Sequence, residues 1–220
     1  MFGLVIHIGI IGTCLFNNVN AHGYISQPTA IYNDPFTQNN FIAIVNADQL
    51  FPEYKWNDSP QANFNQYEKL LQSNKIGELK YFFDSYIDGC PKNKIVDAID
   101  TTGMTTMNWQ NDQDLEGLIS SHTGPCEIWF DDIKVFSDNN CASDYTSYPA
   151  KLPIDYSKCN GECLLQFYWM ALHEPNWQLY KGCVKIKGTI QLNDSKLFDP
   201  SDSFIIQYNS KSFTCTITDN

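Results

Sequence analysis

The cysteines of this chain constrain its fold more than any other feature, because they are scattered singly along 220 residues. Cys14 falls in an apolar leader, and seven more follow at positions 90, 126, 141, 159, 163, 183 and 215. In a secreted chain this pattern is typical of a disulfide framework. Cys159 and Cys163 are spaced like half of a metal site, but no CxxC or histidine pair completes it. We therefore predict disulfides, and the sequence alone does not determine which cysteines pair. Because seven is odd, either one thiol is unpaired or the natural chain continues past Asn220.

Residues 1–21 have the pattern of a secretory signal peptide. Residues 4–16 are almost continuously apolar, residues 17–20 are mostly polar, and Val19 and Ala21 provide small side chains at −3 and −1 of a cleavage point. The apolar run is too short to span a bilayer, and no later stretch is long or apolar enough for a membrane helix. We expect cleavage after Ala21, secretion into the extracellular medium, and a mature chain that begins at His22.

The charge of the chain argues against a nucleic-acid partner. The formal net charge is −11, and all 14 basic residues are lysines, with no arginine. Phosphate and base-edge recognition depends on basic patches and on arginine forks, which makes nucleic acid a poor fit for an acidic chain without arginine. An acidic surface favours solubility in an extracellular medium. We expect a secreted monomer without a membrane or nucleic-acid partner.

The hydrophobic pattern predicts a mainly β domain with a helical insertion. Apolar residues recur at helical spacing over residues 62–87, with an interruption near Gly77, whereas residues 91–122 are turn-rich with weak periodicity. Strand patterns follow at residues 126–130, 163–172 and 177–186, and residues 204–208 and 213–217 are predicted to pair. We predict one antiparallel β-sandwich over residues 22–190 with long loops, and a terminal hairpin or the start of a tail over 191–220.

The predicted new N-terminus has chemistry that no internal histidine has. After cleavage His22 carries a free α-amino group beside its imidazole, and the amine and Nδ1 can close a chelate ring on one metal ion. A second imidazole opposite would complete three nitrogens in a T shape. Nitrogen donors in a tetragonal arrangement favour copper. The alternative is that cleavage leaves a histidine at this position by chance.

Two later segments offer further candidate ligands. His122 precedes Gly124, Pro125 and Cys126, so it lies in a turn just before a strand that a disulfide could hold. His173 follows the apolar run that begins at Cys163. Gln178 and Tyr180 are two residues apart, so on a strand they point to the same face. Taken alone, such residues are more often a surface histidine and an ordinary packed pair.

Together the three segments resemble a known enzyme family, the lytic polysaccharide monooxygenases. The resemblance rests on His-Gly at the mature N-terminus, the His-x-Gly-Pro-Cys turn, and Ala-Leu-His followed by Gln-x-Tyr-x-x-Cys. These motifs run in the family's order from His22 to Cys183. The resemblance implies an immunoglobulin-like or fibronectin-III-like antiparallel sandwich, stabilised by disulfides. It also implies a copper histidine brace made by His22 and His122, with Tyr180 in the axial position.

In the outer shell, the resemblance implies that Gln178 and His173 position the oxygen co-substrate. The implied activity is oxidative cleavage of glycosidic bonds, with one copper ion per chain. An external electron donor and hydrogen peroxide or dioxygen would be consumed. The Gly-Pro-Cys-Glu turn, the cysteine content and the acidic character are most similar to the pectin-active family of oomycetes, which oxidises homogalacturonan.

Cellulose and chitin remain alternative substrates. A polyanionic pectin would be repelled by a chain of net charge −11 unless lysines or calcium bridge the two. A flat face for a crystalline polymer would need aligned exposed aromatic side chains, and the candidates for that face are Tyr24, Tyr54 and Trp56.

Two other functional classes compete with the monooxygenase. One is a non-catalytic secreted protein, which either carries copper on the same brace or binds wall polysaccharide. The other is a hydrolase that uses Glu127, Asp131 and Asp132. Acid–base catalysis needs two carboxylates across a cleft, and adjacent strand residues face opposite ways. We therefore interpret these carboxylates as a solvated strand edge.

Overall fold

The computed structural model describes residues 23–57 and 59–188, and the backbone of residues 205–209 and 212–216. The leader and His22 lie outside the described residues. The strands are β1 (Tyr24–Gln27), β2 (Ala43–Asn46), β3 (Ile99–Asp100), β4 (Thr106–Gln110), β5 (Cys126–Phe130), β6 (Ile133–Asp138), β7 (Ala150–Pro153), β8 (Glu162–Ala171), β9 (Asn176–Lys187), β10 (Ile205–Asn209) and β11 (Ser212–Thr216). The helices are α1 (Ala47–Leu50), α2 (Pro60–Gln72), α3 (Leu79–Asp84) and α4 (Cys141–Asp144), with 3₁₀ turns at Ser120–His122 and Tyr156–Lys158.

Two sheets carry the domain. The smaller has the order β1-β4-β7 and is antiparallel throughout. The larger has the order β2-β9-β8-β5-β6, also antiparallel, and β3 adds to β9 in parallel. Its centre is the long β8–β9 hairpin, paired from Glu162 opposite Lys187 to Ala171 opposite Gln178. The strands β10 and β11 form a separate antiparallel pair, as the pattern in residues 204–217 predicts.

The larger sheet is buried on both faces. On one face Phe167 and Trp169 of β8 pack against Trp109 of the smaller sheet, which gives the sandwich core. On the other face Tyr168 and Met170 belong to a second core that includes residues of the helices. This explains the unbroken apolar run in β8, since a strand covered on both sides needs no polar alternation.

Helices α2 and α3 form the predicted helical segment and are interrupted around Gly77, as expected. Ser59 caps α2 by accepting a hydrogen bond from the amide of Ala62, and Pro60 occupies the first turn. The buried amide of Asn63 donates to the carbonyl of Leu172 over 2.8 Å. This bond ties α2 to the end of β8, immediately before His173.

Three disulfides join the elements: Cys90 to Cys183, Cys126 to Cys141, and Cys159 to Cys163. The first closes the longest loop, with a sequence separation of 93 between its cysteines. They confirm the disulfide framework and account for six of the seven cysteines after the leader. The seventh, Cys215, lies in β11, where only the backbone is described.

The predicted fold class is confirmed: the chain is mainly β, with antiparallel sheets, short helices and disulfides. Two details differ from the sequence-based expectations. β4 lies in a region whose periodicity is too weak to predict it, and the parallel β3–β9 pair was not expected. Among the described residues no helix is long and apolar enough to cross a bilayer. The division into residues 1–21, 22–190 and 191–220 stays a prediction.

The solvated strand edge predicted for the carboxylates is wrong at Glu127. This residue is only 6% exposed, because α3 covers its face of β5. Trp129 Nε1 donates to Glu127 Oε2 over 2.8 Å, and Lys134 lies 3.4 Å from the other oxygen. Asp131 and Asp132 are exposed, as expected. Trp56, a candidate for the flat face, is also buried, and it packs edge-on against Trp177.

Candidate metal centre

His122 is held in place by a turn joined to the end of β8. It ends the 3₁₀ turn Ser120–His122, and the next residue, Thr123, accepts a hydrogen bond from the amide of Leu172 over 2.8 Å. Gly124 has φ +149°, and a Cβ there would collide with the carbonyl of Met170. Only glycine therefore lets the turn approach β8 this closely. The disulfide from Cys126 anchors the strand that follows.

The two histidines of the described chain lie face to face. The ring centres of His122 and His173 are 3.9 Å apart, with 25° between their planes. His122 is buried, and its Nδ1 lies 3.1 Å from the hydroxyl of Ser121. His173 is partly buried, and burial lowers its pKa, although Glu174 opposes the shift. Its imidazole is therefore neutral at pH 7.

Tyr180 and Gln178 meet as the strand register predicts. The hydroxyl of Tyr180 donates to Gln178 Oε1 over 2.6 Å, so both side chains lie on one face of β9. The Tyr180 ring stacks on Trp169, its cross-strand partner, with centres 4.7 Å apart. Burial raises the pKa of Tyr180, so the phenol keeps its proton at neutral pH.

Trp169 links the two halves of the cluster. Its ring centre lies 6.2 Å from that of His122, and Tyr180 stacks on it. Trp109 contacts both Trp169 and Tyr180 edge-on from the smaller sheet. The described chain begins beside this group, because Gly23 lies so close to the Trp109 indole that a Cβ would collide with it.

Several buried polar atoms around the cluster have no hydrogen-bond partner in the described part of the chain. They are Trp109 Nε1, Trp169 Nε1 and His173 Nδ1. Buried polar groups are almost always satisfied by protein, water or ligand. The cluster is therefore a place where a further polar group is expected.

The distance between the His122 and His173 rings decides whether the two could bind one metal ion from opposite sides. Two imidazoles bound on opposite sides of one ion have ring centres about 6 Å apart, since each nitrogen–metal bond is about 2.0 Å long. The stacked rings of His122 and His173 are too close for that arrangement. These two histidines do not form a brace with each other. The stacked arrangement fits one imidazole as a metal ligand and the other as its neighbour.

The structure brings four of the predicted site residues into one cluster: His122, His173, Gln178 and Tyr180. The fifth, His22, is outside the described residues. In residues 23–57 and 59–188, no group of three or more His, Cys, Asp or Glu side chains is placed to hold a metal ion. That search does not include His22, so the copper ligands stay a prediction.

Sequence reasoning missed the two tryptophans at the centre of the cluster. Trp169 occupies a position in β8 that alternates with Phe167 and Leu165, and this spacing assigns all three to the face between the sheets. Trp109 could not be placed, because β4 itself was not predicted.

No protein-family model matches this chain, and no curated protein sequence matches it. The functional interpretation therefore depends on the residues and on their geometry.

Proposed function

We propose that this protein is a secreted, copper-dependent lytic polysaccharide monooxygenase that acts on plant cell-wall polysaccharide. Pectin, as homogalacturonan, is the favoured substrate, ahead of cellulose and chitin. One observation carries the proposal: His122, from the turn before β5, and Tyr180, from β9, both lie against Trp169, with His173 stacked on His122 and Gln178 hydrogen-bonded to Tyr180. Simple packing of the sandwich does not require this combination of polar side chains.

In this proposal His122 binds the metal through Nε2. When Nδ1–H donates to Ser121, 3.1 Å away, Nε2 carries the lone pair that a metal ligand needs. Copper, when bound, supplies the one-electron redox chemistry that activates hydrogen peroxide or dioxygen with electrons from an external donor. The chain holds the imidazole rigid, since the turn that carries it is bonded to β8 on one side and to a disulfide on the other.

His173 and Gln178 are assigned to positioning the oxygen co-substrate. His173 is neutral at pH 7 and can donate one hydrogen bond, and Gln178 retains its amide NH₂ as a donor while its oxygen accepts from Tyr180. Tyr180 stays protonated, so it would limit access to a bound metal ion without adding a negative charge. The stack of His173 on His122 supports the outer role for His173.

The start of the described chain supports a role for His22. Consecutive Cα atoms are about 3.8 Å apart, so residue 22 is attached within one peptide unit of Gly23. Gly23 touches Trp109, which in turn contacts Tyr180. A chain that begins at His22 would therefore carry its amine and imidazole on the residue next to a described contact of the cluster. Secretion, which would create that N-terminus, is supported by three disulfides.

Copper binding tests the centre, and His122→Ala is the deciding variant. We expect tight binding of one copper ion per chain, measured by isothermal titration calorimetry, and its loss in His122→Ala. Glu174→Gln is the matched control, since it changes a neighbour of His173 and keeps His122. Unchanged copper affinity in His122→Ala would refute the brace assignment.

Product analysis separates the enzyme from the non-catalytic alternative. The copper-loaded chain is incubated with ascorbate and homogalacturonan, cellulose or chitin, and the products are examined by mass spectrometry. Oxidised oligosaccharides from one polymer are expected, and they would identify the substrate. Tight copper binding without oxidised products from any of the three polymers would instead indicate copper carriage.

A further inference from the structure

A polar cavity of about 310 Å³ opens beside the start of β1, between the loop of residues 33–41 and the turn that follows β4. Tyr24 lines it, one residue after the Gly23 that touches Trp109. The same loop ends at Phe41, whose ring meets that of Tyr180 edge-on with centres 6.3 Å apart. The cavity is therefore joined to the candidate metal centre by two short segments of chain.

Amide side chains dominate the lining of this cavity. Gln38, Asn39, Asn40 and Gln113 each offer a donor and an acceptor, which is the combination that sugar hydroxyls require. Asn39 Oδ1 is buried and accepts no hydrogen bond from the described residues. Because a buried acceptor without a donor costs free energy, a rotation of the Asn39 side chain that brings this oxygen to a ligand hydroxyl would be favourable.

The loop that carries these amides is held by hydrogen bonds from a lysine outside the cavity lining. Lys92 Nζ donates to the carbonyls of Thr37 and Asn40 over 3.0 and 2.6 Å. The charge of this lysine is therefore directed at backbone oxygens. No lysine is among the residues that line the cavity.

Phe36 stands at the rim and is 94% exposed. The Phe36 ring is therefore accessible to a ligand that occupies the cavity. Its electron-rich face attracts the weakly positive C–H groups on one side of a sugar ring.

The cavity also carries one fixed negative charge. Asp112 accepts hydrogen bonds from the hydroxyls of Tyr24 and Tyr148, over 2.6 and 2.7 Å, and from the amide of Gln110. The two tyrosine hydrogen bonds hold the pKa of Asp112 below its ordinary value, so the carboxylate is ionised at pH 6. A carboxylate on a bound sugar would be repelled here.

We infer that this cavity is a binding subsite for one uncharged sugar ring, either a neutral hexose or a methyl-esterified uronate, and that it disfavours a free uronate. The inference rests on the proposed function, in which the neighbouring centre oxidises polysaccharide. If homogalacturonan is the substrate, the subsite directs the enzyme to esterified regions.

Binding to the metal-free secreted chain tests the subsite without relying on oxidation. Calorimetry at pH 6 and low salt compares three probes of equal length: fully methyl-esterified oligogalacturonate, unesterified oligogalacturonate and cello-oligosaccharide. At least one uncharged probe should bind, and the unesterified probe should bind about tenfold more weakly than that one. Either equal binding of the unesterified probe or no binding of any probe would overturn the inference.

Variants locate the binding. Phe36→Ala and Asn39→Ala should each lower the affinity for the uncharged probe by about fivefold or more. Asp112→Asn should reduce the difference in affinity between the charged and the uncharged probes. Tyr81→Ala is the matched control, since Tyr81 is also an exposed aromatic residue but lies outside this cavity. An equal loss of binding in Tyr81→Ala would contradict the location, and circular dichroism verifies that each variant is folded.

Copper affinity and oxidised products, measured on the same variants, separate the two claims. If the subsite is correct and the oxidation proposal fails, probe selectivity persists without oxidised products. If oxidation is correct and the subsite fails, Phe36→Ala gives oxidised products in undiminished yield.

Discussion

Tyr180 connects most of the side chains in the candidate metal centre. Its ring stacks on Trp169 and meets Phe41 edge-on, and its hydroxyl donates to Gln178. A side chain with a stacked ring and a bonded hydroxyl has little freedom to turn. The phenol is therefore fixed before any ligand binds, which is what a preorganised site requires.

Tyr180→Phe separates packing from chemistry at this position. The ring stays in place, but Gln178 Oε1 loses its donor, so we expect the free energy of unfolding to fall by about 0.5–1.5 kcal/mol in chemical denaturation. If the hydroxyl lies at the bound metal ion, the Cu(II) electron paramagnetic resonance spectrum also changes.

Tyr156→Phe provides the matched control, because this buried tyrosine donates to the Thr106 carbonyl elsewhere in the core. It should lose similar stability and leave the copper spectrum unchanged. A copper spectrum in Tyr180→Phe identical to that of the parent chain would remove Tyr180 from the site.

Single residues differ in how far the sequence could place them. The i, i+2 spacing of Gln178 and Tyr180 is enough to predict that they meet on one strand face. The stacking of His122 on His173 could not be predicted, because it depends on two loops brought together by β5 and β8. Glu127 was predicted to be solvated because the alternation of apolar and polar residues shows which residues share a strand face. It does not show what covers that face. Trp129 on the same face was nevertheless a sign of burial.

The joint between α3 and β9 contains a buried charge. Lys181 is 5% exposed, and its Nζ lies 3.1 Å from Asp84 of α3 and 4.9 Å above the ring of Tyr168. Burial lowers the pKa of Lys181, and the hydrogen bond to Asp84 opposes that shift. An ion pair of this kind is costly to break but is not always stabilising when compared with apolar packing.

We therefore expect opposite results from the two partners of this pair. Asp84→Asn leaves the ammonium without its anion and should lower the free energy of unfolding by about 1–3 kcal/mol, a value reduced because Asp84 is partly exposed. Lys181→Met should be neutral or stabilising. Urea denaturation at pH 7 compares them, and a larger loss in Lys181→Met would contradict this account.

The pH dependence of stability gives a second measurement. In the native state Lys181 releases its proton at a lower pH than in the unfolded chain, where the pKa is near 10.5. At pH values between the native and the unfolded pKa of Lys181, the unfolded chain binds more protons than the native protein. The free energy of unfolding therefore rises with pH in this range. That contribution should be absent in Lys181→Met.

At the level of the whole molecule, the composition and the strand patterns were sufficient to predict the fold class. The disulfides and the long apolar run of β8 are the features that carried this prediction, and both are confirmed. Weakly periodic segments such as residues 91–122 were not resolved, because a short strand like β4 is defined by its partners β1 and β7 and not by its own pattern.

The proposed chemistry depends on where the mature chain begins. Only a chain that starts at His22 has an amine and an imidazole on the same residue to chelate the metal. Mass spectrometry of the secreted protein should therefore find that residues 1–21 have been removed. A mature chain that begins at any other residue would contradict the brace.

A one-residue shift of the N-terminus tests the same dependence directly. Inserting an alanine between Ala21 and His22, with cleavage kept after Ala21, converts the chelating amine into an amide. Copper affinity should then fall by about 100-fold or more, which corresponds to about 2.7 kcal/mol. The metal-free melting temperature should not change, because the sandwich begins at β1. A glycine inserted after Gly89, in an exposed turn with open space around it, is the matched control and should keep its copper affinity. If the shifted chain binds copper as tightly as the parent, the amine is not a ligand.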